Sequence, residues 1–357
     1  MLIEKPRIPI KQVVLFGLFP SFLKVWIYRL RGYKIGRRVS IGFLSVISAR
    51  QVEVGHDTKL GFLTIIRGTQ VKLGSYINIG SMVFLDTPYL QIGDGSRINE
   101  QVFVGGLQFP DSKLTLGRNC QIMQMSFINP ARSITVGDDT GIGGHCLIFG
   151  HTSWLSQFEG YPVDFQPIEI GRSVSLAWRV FVLPGTKIGD GSVVGANSVV
   201  SGTVPPRCLS LGFPARVVAK EPEFPRKLGD EDKVQILKNI VKAMIEYFSQ
   251  SGISCEEFEG DLNFRIRRTR GLSFTRKSWR MRIIYRNTLK SDLPEPRDKI
   301  DILLSLGKIP EEERAILKQD GVMWIEICRK EQSRYANSLG DEVSLFLKRY
   351  GVRTIRV

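Results

Sequence analysis

The chain has 357 residues, of which 43% are hydrophobic, 24% charged and 10% aromatic, enough apolar content for a sizeable core, which excludes a wholly disordered protein. Five cysteines stand far apart with no CxxC pair, which excludes a zinc ribbon and a disulfide framework and reads as buried free thiols. The net charge of +15 is uneven: residues 1–40 carry nine basic side chains and one acidic, residues 41–220 carry 14 and 12, and residues 221–357 carry 27 and 22, so the ends rather than the middle are placed to meet something anionic.

Val13 to Leu23, the longest charge-free apolar run near the start, has 11 residues and contains Gly17 and Pro20, short of the roughly 18 that cross a bilayer. Lys24-Val25-Trp26-Ile27-Tyr28-Arg29 follows it in place of a small-x-small cleavage site. Neither a spanning helix nor a secretory signal is expected, and the expected location is cytoplasmic. Residues 1–34 form an apolar and basic helical segment with two readings: a cap over the open end of the repeat that follows, or an interfacial segment that makes the protein peripheral at the inner membrane face.

From residue 35 onward, aliphatic-Gly pairs recur at Ile35-Gly36, Val54-Gly55, Leu73-Gly74, Ile92-Gly93, Leu116-Gly117, Val136-Gly137, Ile170-Gly171 and Ile188-Gly189, with glycine spacings of 19, 19, 19, 24, 20, 34 and 18. Six residues after most of these glycines stands a second such pair: Ile41-Gly42, Leu60-Gly61, Ile79-Gly80, Ile142-Gly143 and Val194-Gly195. Ile98-Asn99, Ile122-Met123 and Leu176-Ala177 keep only the aliphatic residue. A unit of about 18 residues divided into sixes does not keep step with a 3.6-residue helix, whereas three short strands joined by tight corners fit it. The aliphatic residue of each hexad is then expected to point inward, with glycine at the corner where a bulky Cβ would clash. Since an insertion in a solenoid leaves the coil as a loop, the spacing of 24 places a short excursion near Gly105 to Ser112. The spacing of 34 places a longer loop near His151 to Pro167.

Residues 35–220 resemble the hexapeptide-repeat acyltransferases, sugar O-acetyltransferases among them, which implies a mainly β fold, a left-handed parallel β-helix. Two stretches sharpen the likeness. Phe149-Gly150-His151 leads from coil to loop, as does the Gly-His or Asn-His pair of the galactoside, maltose and sugar O-acetyltransferases, whose histidine is the catalytic base. Leu183-Pro184-Gly185 through Val200, followed by Pro205-Pro206 and Gly212-Phe213-Pro214-Ala215-Arg216, is similar to the family's last coils and its Gly-x-Pro-Ala-[basic] tail.

The resemblance implies acetyl-CoA as acyl donor and His151 as base, with Asn129, in Ser126-Phe127-Ile128-Asn129-Pro130, as the acceptor-binding asparagine. It also implies that Trp178 and Ala196 offer backbone groups to the pantetheine arm, that the Trp178 N–H is the oxyanion donor, that Ser201 flanks the arm and that Arg216 meets a phosphate. Lys220 and Arg207 are phosphate neighbours on charge alone. His56 and His145, the other two histidines, read as structural, and no metal site is expected. Where relatives carry Trp-Ile-Gly, this chain has Ser175-Leu176-Ala177, so no particular sugar preference transfers. The family's habit is a homotrimer with its active sites between subunits.

After Lys220 the repeat stops, and Glu221-Pro222-Glu223-Phe224-Pro225 reads as a linker to an α+β domain over 221–357. That domain is expected to hold a helix at Asp230–Gln250 and another at Gly340–Tyr350, with strands at Met281–Tyr285, Ile300–Leu306, Val322–Cys328 and Val352–Val357. Ten basic residues and no acidic one lie between Arg265 and Lys290, interleaved with Phe264, Phe274, Trp279 and Tyr285. An anionic glycan, a pyrophosphate-linked carrier or a membrane surface suits them better than nucleic acid.

The sequence thus reads as an acetyl-CoA-dependent O-acetyltransferase acting on a sugar hydroxyl in surface polysaccharide biosynthesis. Two alternatives stand beside it, a non-catalytic trimeric glycan-binding scaffold and an N-acyltransferase acting on an amino sugar.

Overall fold

Each repeat of 18 to 20 residues folds as one coil of three short strands, and strands at equal positions in successive coils pair in parallel. The structure, a computed structural model, describes residues 9–152, 155–258, 263–268, 278–284 and 300–357. It divides into two compact units, Met1–Arg226 and Lys227–Val357. In the first unit one sheet begins with Lys34–Ile35, Gln51–Val54 and Gln70–Leu73, a second with Ser40–Ile41, Lys59–Leu60 and Asn78–Ile79, and a third with Val46–Ser48, Ile65–Arg67 and Phe84–Asp86. The aliphatic residue of each hexad is the inward one. Ile79, Ile98, Ile122, Ile142, Leu176 and Val194 stack in register as one fully buried column, and burying each such side chain contributes about 1.5–3 kcal/mol.

The corner glycines are needed for a reason other than backbone angle. A Cβ on Gly61 would lie 2.6 Å from the carbonyl carbon of Gly80, and one on Gly143 would lie 2.6 Å from that of Ala177, so it is the close approach of the next coil that excludes a side chain. The left-handed backbone falls two residues later, on Asp57, Tyr76, Met82, Asn119 and His145, with φ between 55° and 58° at Asn119 and Tyr76. Met82 and His145 are exposed at the corner while Asn119 is buried, and the strain is about 1–2 kcal/mol per residue.

A third feature of the repeat is a small hydroxyl or thiol three residues after the corner position. Thr64 Oγ1 donates to Gly80 O at 2.7 Å, Ser126 Oγ to Gly143 O at 2.8 Å, Thr140 Oγ1 to Gly171 O at 2.7 Å and Cys146 Sγ to Ala177 O at 3.1 Å. Several of the hydroxyls also accept from a backbone N–H one coil on, as Thr140 does from Val174 and Ser126 from Cys146. Each is a staple between coils. Cys120 and Cys146 hold such positions, and burial pushes their thiols up to about 11. The expectation of buried thiols holds for Cys120, Cys146 and Cys208 but not for half-buried Cys255 or exposed Cys328, which lie outside the repeat.

The amino-terminal segment folds as two short helices, α1 (Ile10–Gly17) and α2 (Ser21–Leu30), bent by 116° at the Leu18–Pro20 break. Val13 of α1 packs on Val46 and Ile65 of the third sheet. From α2, Lys24 Nζ donates to Gly42 O at 2.6 Å and Ser45 O at 3.2 Å, while Ser21 Oγ and the Tyr28 hydroxyl accept from the N–H groups of Ile41 and Ile47. These bonds satisfy backbone groups that no preceding coil can reach, so the segment caps the first coil. At the other end, Ala215–Lys220 folds back antiparallel on Cys208–Gly212 and closes the second sheet.

In the second unit α3 (Asp230–Gln250) buries Leu237, Ile240, Val241, Met244 and Phe248 in the core of an α+β domain. Its described sheet runs Ile253–Phe258, Asn263–Arg268 and Ser278–Ile284 as an antiparallel meander, then Ile302–Ser305 and Met323–Glu326 in parallel. Helix α4 (Glu311–Gln319) was not foreseen from the sequence, although Pro310 precedes it and Glu311, Glu312 and Glu313 fill its first turn, both ordinary start signals. Helix α5 is Ser338–Leu347. Of the basic stretch 265–290, Arg265, Arg267, Arg268, Arg280 and Arg282 fall on strands, and half-buried Trp279 packs on the core. Arg270, Arg276, Lys277, Arg286 and Lys290, with Phe274 and Tyr285, lie outside the described residues.

If coil spacing sets the glycine requirement, Gly61→Ala lowers stability by about 1–3 kcal/mol because the coils must spread. Met82→Gly, at a left-handed corner, changes it by less than about 1 kcal/mol. Denaturant unfolding followed by circular dichroism measures both.

Candidate active site

Both insertions leave the solenoid at the corner between the third and first sheets, on the coils either side of the one that ends in Phe127–Asn129. Gly105–Ser112 follows the strand Phe103–Val104, and His151–Pro167 follows Leu147–Phe149. His151 and Thr152 open the longer loop as a two-residue ribbon paired antiparallel with Asp164–Phe165. Gly150 lets the chain turn there. Its N–H donates to Asn129 O at 2.9 Å, and a Cβ on it would lie 3.0 Å from the Arg132 nitrogen.

The turn brings His151 Nε2 to 2.8 Å from Asn129 Nδ2. An amide N–H donates to Nε2 only where that nitrogen keeps its lone pair, which puts the ring proton on Nδ1. Phe149 and Phe165 flank the imidazole with ring centroids 6.0 Å away on each side. Burial beside these rings lowers the His151 pKa below its ordinary 6.5, so the ring is neutral at neutral pH and protonates only in more acidic solution. The two insertions meet above it. Phe109 of the shorter one packs edge-on against Phe165 at 5.2 Å, and Arg132 lies 4.3 Å over the Phe109 ring while bridging to Asp111 at 3.2 Å.

Three positions in this arrangement escape the sequence reading. Gly106, with φ +123°, leaves room for the Asn129 side chain, since a Cβ there would lie 2.7 Å from Asn129 Cγ. Phe109 and Phe165 form the wall. The Gly105-Gly106 pair inside an insertion is the one local signal, and it does not say which side chain the gap admits. Asn129 Oδ1 is buried without a hydrogen-bond partner.

The residues expected to handle the donor fall on two edges. Ser201 shares the edge of His151: the register Ile148↔Val182↔Val200 sets Phe149, Leu183 and Ser201 in one column. Trp178 and Ala196 sit instead at the corner between the second and third sheets, one coil apart, as the register Leu176↔Val194 requires. The Trp178 ring is partly exposed and lies against Gly144, where a Cβ would come within 2.7 Å of it, and beside His145 at 5.9 Å. The two edges are on the order of 15–20 Å apart along the strands. Arg216 and Lys220 are exposed on the terminal strand Ala215–Lys220, while Arg207 pairs with Glu221. His145 is a left-handed corner residue, and His56 Nδ1 accepts from the Arg37 N–H.

Two substitutions test the wall and the gap. Phe165→Ala opens the imidazole to water, and the His151 pKa rises toward its ordinary value in a histidine NMR titration. Gly106→Ala pushes the Asn129 amide away and removes the Asn129–His151 hydrogen bond, read as a changed His151 ring-nitrogen shift in a protein whose circular dichroism is unaltered.

No protein-family model matches the chain. Among curated proteins it is 38% identical over 114 residues to the putative lipopolysaccharide biosynthesis O-acetyl transferase WbbJ of Escherichia coli K12, a match that spans 29% of this chain and 58% of that protein. It is 30% identical over 130 residues to the galactoside O-acetyltransferase of the same organism, spanning 36% and 61%. The chain thus spans about three-fifths of the length of these relatives. Among solved structures, the hexapeptide-repeat acetyltransferase VCA0836 of Vibrio cholerae, complexed with acetyl-coenzyme A, is 20% identical, with 59% of this chain and 83% of that one covered at a TM-score of 0.28. At that score the likeness adds nothing to what the repeat itself shows. By its hexads and its three parallel sheets the first unit of this chain is a hexapeptide-repeat β-helix, similar in sequence to these O-acetyltransferases.

Proposed function

We propose that the protein transfers the acetyl group of acetyl-CoA to a sugar hydroxyl, with His151 as general base, in the building of a surface polysaccharide. The observation that carries this reading is the pairing of a neutral, half-buried imidazole with Asn129 at 2.8 Å where a long loop leaves the coil. The names of the two relatives, a lipopolysaccharide O-acetyl transferase and a galactoside O-acetyltransferase, support the acceptor class.

In this mechanism an acceptor hydroxyl enters against Nε2 and displaces the Asn129 amide, whose N–H then holds the attacking oxygen. His151 takes the hydroxyl proton as the oxygen forms its bond to the thioester carbonyl carbon, a role that can supply about 10²–10⁴ in rate. The tetrahedral intermediate collapses with cleavage of the C–S bond, and the His151 imidazolium returns its proton to the departing thiolate. The products are an O-acetyl sugar and CoA, and the neutral imidazole is restored. A backbone N–H at the Trp178 corner stabilises the oxyanion.

The separation of the edges gives this scheme an oligomeric requirement. His151 and Trp178 of one chain are too far apart to grip one thioester, so the Trp178–Ala196 edge acts with the His151 of a neighbouring copy, in the homotrimer the family resemblance implies. The outer face of the third sheet supports such an assembly. Phe84, Phe103 and Phe127 stack there at 5.0 Å spacings, continued by Phe149 and Phe181. Arg216 and Lys220 are placed to meet the CoA phosphates.

Mass spectrometry of nucleotide sugars, lipid-linked glycans and polysaccharides incubated with acetyl-CoA identifies the acceptor, and cleavage of the product by mild alkali separates an ester from an amide. His151→Ala lowers kcat/KM by about a hundredfold or more, and equal transfer by the variant refutes the base. Because activity needs the neutral ring, the acid limb of kcat/KM lies below pH 6.5 in the wild type and moves up in Phe165→Ala.

A further inference from the structure

The amino-terminal helices turn their chemistry inside out. In α2 the side of the helix against the coil carries Lys24, only 2% exposed, and the Tyr28 hydroxyl, both bonded to backbone of the first coil. Its outer side carries Phe22, Trp26 and Leu30 at i, i+4 and i+8, exposed to 76%, 58% and 67%. Ile10, Val14, Leu15 and Leu18 of the α1 region are likewise exposed. A helix whose only task is to cap a coil gains nothing from large apolar side chains on its far side. An apolar patch of this kind on a soluble surface marks a contact.

The charge around the patch says with what. Between Glu4 and Glu53 the sequence holds ten basic residues and no acidic one. Lys11, Arg29, Arg31 and Arg37 are exposed, and Arg31 lies 4.2 Å over the Phe16 ring, beside α1. A second copy seated face to face on the patch would set these cations against one another, whereas an anionic lipid surface neutralises them. Neither helix can cross a bilayer: at 8 and 10 residues they are about 12 and 15 Å long against a hydrocarbon core of about 30 Å. Both can lie in its surface, because two axes meeting at a bend share a plane.

We propose that α1 and α2 are an interfacial anchor. Phe22, Trp26 and Leu30 enter the acyl boundary of an anionic membrane, Arg31 and Arg37 meet its headgroups, and the inward side of the same helices caps the solenoid. The inference is independent of the transferase reading, since it concerns binding alone.

Co-sedimentation of the full chain with vesicles of phosphatidylcholine, with and without phosphatidylglycerol, tests it. The wild type is expected to bind the mixed vesicles, less so at high salt. The triple variant F22S/W26S/L30S, altered only at exposed positions, is expected to lose more than about tenfold in partition with an unchanged thermal transition. A wild type that stays in the supernatant, equal binding to both kinds of vesicle, or a triple variant that binds like the wild type overturns the proposal. A change of oligomeric state in the triple variant, with no vesicle binding by the wild type, overturns it in favour of a contact between copies.

Discussion

The first unit depends on how closely one coil approaches the next at its corners. At these points the backbones are so near that a Cβ on Gly61, Gly93 or Gly143 would fall 2.6 Å from the backbone of the next coil. The same closeness lets the hydroxyl of Thr64, Ser126 or Thr140 reach the carbonyl one coil on. Inward aliphatic residues supply the bulk of the burial, but hydrophobic burial has no direction, and it is the corners that fix the register. A fixed register in turn lets widely separated residues such as Phe149, Leu183 and Ser201 share a column.

A rigid column has a smooth surface, and the candidate site of this one arises where two insertions interrupt it. The two insertions leave one corner on alternate coils, so the coil between them, with buried Asn129 at its end, lies between the two loops. Gly106 admits the amide, Gly150 turns the chain, and burial beside Phe149 and Phe165 lowers the His151 pKa. None of these residues is reactive in itself. The neutral state of His151 at neutral pH comes from burial beside Phe149 of the coil and Phe165 of the loop, with the Asn129 amide at Nε2.

Both ends of the column answer the same problem differently. The terminal strand Ala215–Lys220 closes the carboxyl end by pairing backbone to backbone. At the amino end, among the described residues, two helices stand in place of a strand, and side chains do the work. Lys24, Ser21 and Tyr28 satisfy the exposed carbonyls and N–H groups of the first coil, which leaves the outer side of those helices free to carry an unrelated apolar surface.

The sequence by itself determined the coil. Spacings of 18 to 20, divided into sixes, do not keep step with a helix and fit three short strands per coil, and departures from that spacing place the two insertions because an extra residue leaves the coil as a loop. His151 and Asn129 were singled out by local resemblance, as were the residues expected near the donor. Tertiary structure decided which of these meet. His151 and Asn129 stand 22 positions apart and touch because one coil separates them, while Trp178 occupies a different corner from His151. The contributions of Gly106, Phe109 and Phe165, and the burial of Lys24 beneath exposed Trp26, were likewise invisible. They depend on contacts between loops and coils, which no periodicity along the chain encodes.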